Sequence, residues 1–353
     1  MAKKVTIQQI ADYLGISNFV VSRALSGKTG VKDETRDKVF QVASQLGYFT
    51  QKGINNSDIK KENVEDSIDN NSVLIVMPNI RSQLKESIYW GPIIKGISDT
   101  LENLNLGMII LTENNFKSLP RSLNPEGFMG LIGVGEVATQ IILEVQNNGV
   151  PVVLIDHEDK LYPTDTVFSN NFDSSYLLAN YLIGLGHSHI QFVGNINYSR
   201  SFFDRWLGFR TALEENDTPI SNEFYELIKD DSAEMFIDIK AWLLKLKAEG
   251  NKLPTALFCA NDSIALHVYK VLEELDIRVP DDISVTGFDN IEDSYLLKPT
   301  LTTIDVPKEE LGKRAVRALL NRIDIKNAPK EKIIVSSELL LRESVLSYKK
   351  ETE

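Results

Sequence analysis

Between Val5 and Leu25 two short apolar-periodic segments flank one glycine. Ile7, Ile10, Ala11 and Leu14 recur at i, i+3, i+4 and i+7, which is one face of a helix. Gly15 supplies the tight turn. Ser17 stands where its hydroxyl can cap a new helix, and Val20, Val21, Ala24 and Leu25 give that helix a buried side. Asn18, Phe19, Ser22 and Arg23 are left facing outward, and an exposed Asn, aromatic and Arg at a helix start read as the recognition helix of a helix-turn-helix. Upstream, Thr6 and Gln9 have capping-box spacing, and the Thr6 hydroxyl could instead meet a phosphate. A turn-rich loop, Ser26 to Gly30, precedes a third helix from about Asp33 to Leu46, with Val39, Val42, Ala43 and Leu46 on one face and Gly47 closing it. Three helices around one small core make a complete DNA-binding unit.

Charge distribution agrees. The chain carries a formal −12, which taken alone argues against a nucleic-acid partner. Residues 1–52, however, hold eight Lys/Arg against four acids, so that segment is +4 and the remainder −16. A small basic module on a large acidic body is the asymmetry expected when one domain touches DNA. At 353 residues the chain predicts two or three units. A single cysteine, Cys259, rules out an internal disulfide and fits a reducing cytoplasm. No run approaches the roughly 20 apolar residues of a membrane span, and Met1 to Lys4 runs into the first helix without a secretory signal.

From Ser72 short β-branched runs (73–77, 108–111, 130–132, 152–155, 190–193, 256–258, 283–286) alternate with helical spacing (93–104, 141–148, 175–185, 206–213, 264–275, 311–323). Such alternation means βαβ units and parallel sheets covered by helices. Ligands in these folds bind outside the carboxyl ends of strands. Tyr89 and Trp90 follow the first strand, Asp156 ends another, Asn261 and Asp262 a third and Asp289 a fourth, while Arg205 opens a helix just after a strand. An aromatic face can stack on a sugar ring, and planar carboxylate, amide and guanidinium groups match vicinal hydroxyls. Asp262 has a second reading, as cap of the helix that follows.

The head resembles the LacI/GalR family of bacterial repressors. The resemblance is carried by Thr6-Ile7, Ile10-Ala11, Leu14-Gly15-Ile16-Ser17, Val21-Ser22-Arg23, Leu25, Gly27, Val31, Glu34-Thr35-Arg36 and Leu46-Gly47-Tyr48. It continues through Pro151 to Asp156, Leu185-Gly186-His187, Arg205 with Gly208-Phe209, Ala260-Asn261-Asp262, Val279 to Asp289, Leu301 to Ile304, and Glu310 to Ala315. It implies an α/β chain: a three-helix, lambda-repressor-like helix-turn-helix head and a two-lobed body of the type I periplasmic-binding-protein kind with parallel sheets. The expected domains are a head at 1–49, a linker at 50–71 and an effector-binding and dimerisation body at 72–345. Crossings near 161, 290 and 325 would give lobe 1 as 72–161 with 290–325, and lobe 2 as 162–289 with 326–345. By resemblance Asn18 and Phe19 choose operator bases and Arg23 reads a base, its fork suiting guanine O6 and N7; Thr6, Ser17, Ser22 and Ser26 complete the DNA-binding set. Arg205 and Asp289 are the leading effector contacts, with Tyr89, Trp90, Asp156 and Asn261 beside them.

One segment departs from the family. Where it carries a hinge helix with Pro, Arg and a minor-groove Leu, this chain reads Tyr48 to Ser57 without them, and Asp58 to Asn71 is a polar linker. Gly53 disfavours a helix there by about 1 kcal/mol relative to Ala, so weaker operator kinking is expected. Other chemistry finds little support. Gly133 and Gly135 lack the third glycine of a dinucleotide fingerprint, His187 and His189 have no companion ligands, and no nucleophile elbow occurs. The expectation is a cytoplasmic, homodimeric repressor of carbohydrate-utilisation genes, not an enzyme, with no cofactor, metal or membrane partner. Its partners are a palindromic double-stranded operator, a sugar or glycoside effector and, in some family members, a phosphocarrier co-regulator. The end of the chain, without a heptad tail, does not indicate a tetramer. The alternative is a sugar sensor that has lost its DNA role.

Overall fold

The computed structural model describes residues 6–25, 71–77, 88–112, 127–220, 234–325 and 327–348, together with Thr35, Lys38, Val39, Val42 and Leu119. The chain divides into two units, Met1–Ser67 and Ile68–Glu353.

In the first unit, α1 (Ile7–Leu14) starts on a capping box: the Thr6 hydroxyl accepts from the Gln9 amide at 3.3 Å, and Gln9 Oε1 accepts from the Thr6 amide at 2.9 Å. Gly15 closes α1 at φ 66°, a left-handed conformation that favours glycine. α2 (Asn18–Leu25) follows, with Ser17 Oγ accepting from the Val20 amide at 3.4 Å. Ile10, Ala11, Val21 and Ala24 form one buried cluster with Val39 and Val42. Thr35, Lys38, Val39 and Val42 are helical, within the stretch read as the third helix. The rest of that stretch, Ser26 and the linker up to residue 70 lie outside the described residues.

The second unit begins with β1 (Ser72–Val76), α3 (Trp90–Asn103), β2 (Gly107–Leu111), β3 (Gly130–Val134), α4 (Thr139–Asn147), β4 (Val152–Ile155) and β5 (Asp165–Ser169). It continues with α5 (Asn171–Gly184), β6 (Ile190–Val193), α6 (Arg200–Glu215), α7 (Glu234–Ala248), β7 (Ala256–Cys259), α8 (Asp262–Glu274) and β8 (Ser284–Thr286). A short 3-10 turn (Glu292–Tyr295), β9 (Thr303–Asp305), α9 (Lys308–Asp324), β10 (Lys332–Val335) and β11 (Glu338–Leu340) complete it. Six strands form one sheet in the order β10-β5-β4-β3-β1-β2, every neighbouring pair parallel. A second parallel sheet runs β6-β7-β8, and β9 pairs antiparallel with β11.

Alternation along each strand decides which core a side chain enters. Val73 and Ile75 share a core with Ile93 and Ile97 of α3 and Leu311 and Ala315 of α9, whereas Leu74 and Val76 pack with Ile141, Ile142 and Val145 of α4. α3 and α9 approach closely because both carry glycine at the crossing. A Cβ on Gly312 would lie 2.2 Å from the Ile93 carbonyl oxygen, and one on Gly96 2.1 Å from that of Glu309. The second sheet is backed by Phe192, Phe209 and Phe258, whose ring centroids are 5.0–5.7 Å apart. No helix among the described residues is long and apolar enough to cross a membrane.

The register corrects the expected lobe boundaries. The expected second lobe includes 162–169 and 326–335, yet β5 and β10 are paired members of the first sheet. The chain leaves that sheet after Ser169, not near 161, and leaves it again after Val335, not near 325. β5 escaped detection because Asp165, Thr166 and Ser169 make it read as a loop. Asp165 tolerates burial because Arg322 of α9 holds it bidentately, at 2.6 and 2.7 Å. α7, β9 and β11 were likewise not anticipated.

Candidate DNA-reading face and effector cleft

On the head, the outward side of α2 is as the spacing requires. Phe19 is 67% exposed, Asn18 and Ser22 are exposed, and the Arg23 guanidinium lies over the Phe19 ring, 5.3 Å from its centroid. That stacking aligns the Arg fork alongside the aromatic. The Asn18 amide donates to Gln8 Oε1, and Gln8 in turn donates to Asp12 at 2.7 Å, so α1 orients the first residue of α2. Thr6 and Ser17, both exposed, are engaged at the two helix starts, where backbone N–H groups also face outward. Ser26 lies outside the described residues.

In the body, the leading sequence-read residues converge on Arg205. The second turn of α6 carries this side chain inward until only 2% of the residue is exposed. Its Nε donates to Asn171 Oδ1 at 2.9 Å, Nη1 to the Ala260 carbonyl at 2.7 Å and Nη2 to Asp289 Oδ1 at 2.9 Å. The guanidinium rests 3.8 Å from the centroid of the Phe288 ring. Three strand ends therefore meet on one planar cation: Asn171 after β5, Ala260 after β7 and Asp289 after β8. Lys308, at the start of α9, donates to the backbone carbonyls of Asp289 and Asn290 and so pins the loop carrying the carboxylate.

Asp156, at the end of β4 in the first sheet, meets α6 from the other side and accepts from the Ser201 hydroxyl. Ser201 and Arg205 are one helical turn apart on α6, so one helix face presents both groups. Asp156 and Asp289 sit on positive φ, 56° and 111°, backbone that Asp tolerates better than most residues and that recurs at functional sites. Burial pushes the Asp156 carboxyl up to about 6, against the opposing effects of the Ser201 hydrogen bond and Arg205. Burial likewise raises Asp289, with Arg205 and Lys308 opposing. The Tyr89 phenol is raised well above its ordinary value by burial and then by the charges of Asp156 and Asp289, which places it at the same cluster. Trp90 meets Tyr89 edge-on, with centroids 4.8 Å apart and planes at 81°.

Arg205, Asp289, Asp156 and Tyr89 are thus gathered together, and Trp90 buttresses them. Asn261 stands next to Ala260, but its Oδ1 caps α8 by accepting from the Ile264 amide at 2.9 Å. The cap of that helix is therefore Asn261 and not Asp262. Asp262 is buried, accepting from Thr303 Oγ1 at 2.6 Å and from the Ile291 amide at 2.9 Å, and burial lifts it to about 7. His187 is structural, with Nδ1 against Thr255 Oγ1 and Nε2 against the Leu346 carbonyl, both at 2.9 Å. Asn171, Ser201 and Phe288 were missed by sequence reasoning. The spacing of Ser201 from Arg205 was a usable signal; Asn171 was hidden because β5 before it was unread.

Residues 6–51 match the family described as bacterial regulatory proteins of the lacI family, and residues 179–345 match the periplasmic binding protein-like domain. The chain is 27% identical over 344 residues to the probable HTH-type transcriptional repressor ExuR of Bacillus subtilis, covering 97% of this chain and 98% of that one. It is 26% identical to the ribose operon repressor of Haemophilus influenzae, over 98% and 99% of the two chains. This chain belongs to the LacI family. A LacI-family transcriptional regulator from Enterococcus faecium, solved with bound ribose, superposes with a TM-score of 0.67 at 27% identity, over 78% of this chain and 100% of that one. The charge split follows the same division: the lacI-family match falls within the basic 1–52 segment, and the periplasmic binding protein-like match lies in the acidic remainder. This LacI-family chain is a helix-turn-helix transcriptional regulator.

Proposed function

We propose that this regulator represses carbohydrate-utilisation genes as a cytoplasmic homodimer, and that a sugar or glycoside held between its lobes sets its affinity for a palindromic operator. The observation that carries the reading is the cluster of Arg205, Asp289, Asp156 and Tyr89, assembled from both sheets in a chain that also carries a helix-turn-helix. Planar donors and acceptors gathered at strand ends suit vicinal hydroxyls. Its ties to both sheets mean that a ligand bridging them biases their closure. In a dimer with two heads on successive major-groove faces, closure changes head spacing, a coupling of about 1–3 kcal/mol. The domains proposed are a head at 1–49, a linker at 50–71 and a body at 72–345. Asn18, Phe19 and Arg23 read bases, with Thr6, Ser17, Ser22 and Ser26 on the backbone. Tyr89, Trp90, Asp156, Arg205, Asn261 and Asp289 hold the effector. A sensor without a DNA role is disfavoured by the exposed Asn18, Phe19 and stacked Arg23. Selection from a genomic library, with and without candidate sugars, tests the reading: an enriched palindrome whose recovery changes with one sugar is expected, and no enriched palindrome refutes it.

A further inference from the structure

Positive charge in the cleft is unevenly shared. Two described cations act there and both serve Asp289: Arg205 spends three donors on Asn171, Ala260 and Asp289, and Lys308 donates to the Asp289 and Asn290 carbonyls. Among the described residues Asp156 keeps no cation of its own; its hydrogen-bond partner is the neutral Ser201 hydroxyl. Arg200, beside Ser201, and Lys332 are engaged elsewhere. Arg200 is held by Asp204 at 2.8 Å and by Glu158 at 3.2 Å, and Lys332 by Glu158 at 2.8 Å. Arg205, Asp289 and Asp204 are the other charged groups whose fields reach Asp156, two of them negative. Its backbone, at φ 56° at the end of a buried strand, holds the carboxylate in place.

We infer that Asp156 is a charge filter: the cleft accepts uncharged polyols and turns away anionic sugars such as uronates and sugar phosphates. This rests on the reading that the cleft binds a sugar. An uncharged sugar satisfies the site by donating hydroxyl protons to Asp156 and to the second oxygen of Asp289, while accepting from the remaining Arg205 N–H groups. An anion of the same shape brings a negative charge beside the Asp156 carboxylate, and low-dielectric surroundings amplify that repulsion. The Asp156 carboxyl is raised chiefly by burial, with the fields of Asp289 and Asp204 adding to it.

The test is isothermal titration of the full chain, at pH 7.5 and low salt, with matched triads: galactose, galacturonate and galactose 6-phosphate; glucose, glucuronate and glucose 6-phosphate; ribose and ribose 5-phosphate. The expected result is a neutral member that binds, with its anionic counterparts weaker by about tenfold or more. In Asp156→Asn, which keeps the shape and an acceptor for Ser201, the neutral-to-anion ratio should collapse to within about threefold, reflecting removal of the charge alone. The comparison within the wild-type chain does not depend on how the variant folds. An anionic member binding as tightly as its neutral counterpart overturns the filter while leaving a sugar-binding cleft standing. A ratio unchanged in Asp156→Asn also overturns it. Binding by no member of any set removes the sugar reading itself, and the filter with it.

Discussion

Replacing Arg205 by Met keeps the stem and much of the volume but removes the charge on which the cleft is built. The change strips Asp289 of its buried partner and leaves Asn171 Oδ1 and the Ala260 carbonyl without their donor. Breaking a buried pair from one side costs about 3–5 kcal/mol, because an uncompensated charge stays behind. The loss of effector binding and the loss of stability should therefore coincide, which a second substitution separates. Asp289→Asn removes the orphaned charge, and Asn is the suitable replacement because the backbone there is at φ 111°. The double variant Arg205→Met/Asp289→Asn should regain roughly 2 kcal/mol of that loss while still failing to bind effector. Urea unfolding followed by tryptophan fluorescence reads the body alone, since Trp90, Trp206 and Trp242 all lie in the second unit. A single variant destabilised by less than about 1 kcal/mol, or a double variant no more stable than the single, refutes the argument that a buried charge pair anchors the cleft.

Arg23→Ala should abolish specific operator binding in a mobility-shift assay and leave sugar affinity unchanged; loss of both would mean misfolding instead of lost base reading. Gly312→Ala should lower the melting temperature of the body, at a cost of about 1–3 kcal/mol, because the new methyl meets the Ile93 carbonyl 2.2 Å away; an unchanged melting curve would count against the close α3–α9 crossing. Asp262 is raised to about 7 by burial, so its proton is bound more tightly in the folded chain than in the unfolded one. Its contribution to stability is therefore present at low pH and lost as pH rises through 7, a difference of about 2 kcal/mol between pH 5.5 and 8.5. Asp262→Asn should remove that dependence when compared with the wild type by urea unfolding at the two pH values; parallel pH profiles would contradict it.

Much of this regulator was legible in its residues because local rules agree with the final fold. The periodicity of Ile7 to Leu14, Gly15 and the cap at Ser17 define a helix-turn-helix without reference to distant residues, and the β-branched runs announce seven of the parallel strands. The strand-end rule found Asp156, Arg205 and Asp289, since the carboxyl ends of parallel strands open onto a shared crevice. Pattern failed where a polar side chain is buried against a partner far away in sequence. β5 reads as loop until Arg322 neutralises Asp165 across 157 residues, and with β5 went both Asn171 and the true exit from the first sheet. Asn261 took the capping part open to Asp262 for a similar reason. Only the packed chain shows that Ile291 and Thr303 approach Asp262, leaving its neighbour to cap α8. Sequence by itself determined the helix-turn-helix, most of the parallel strands and the chemistry their ends could offer. Tertiary structure decided the charge state and the company of those groups, because desolvation and pairing depend on which distant strands close around them.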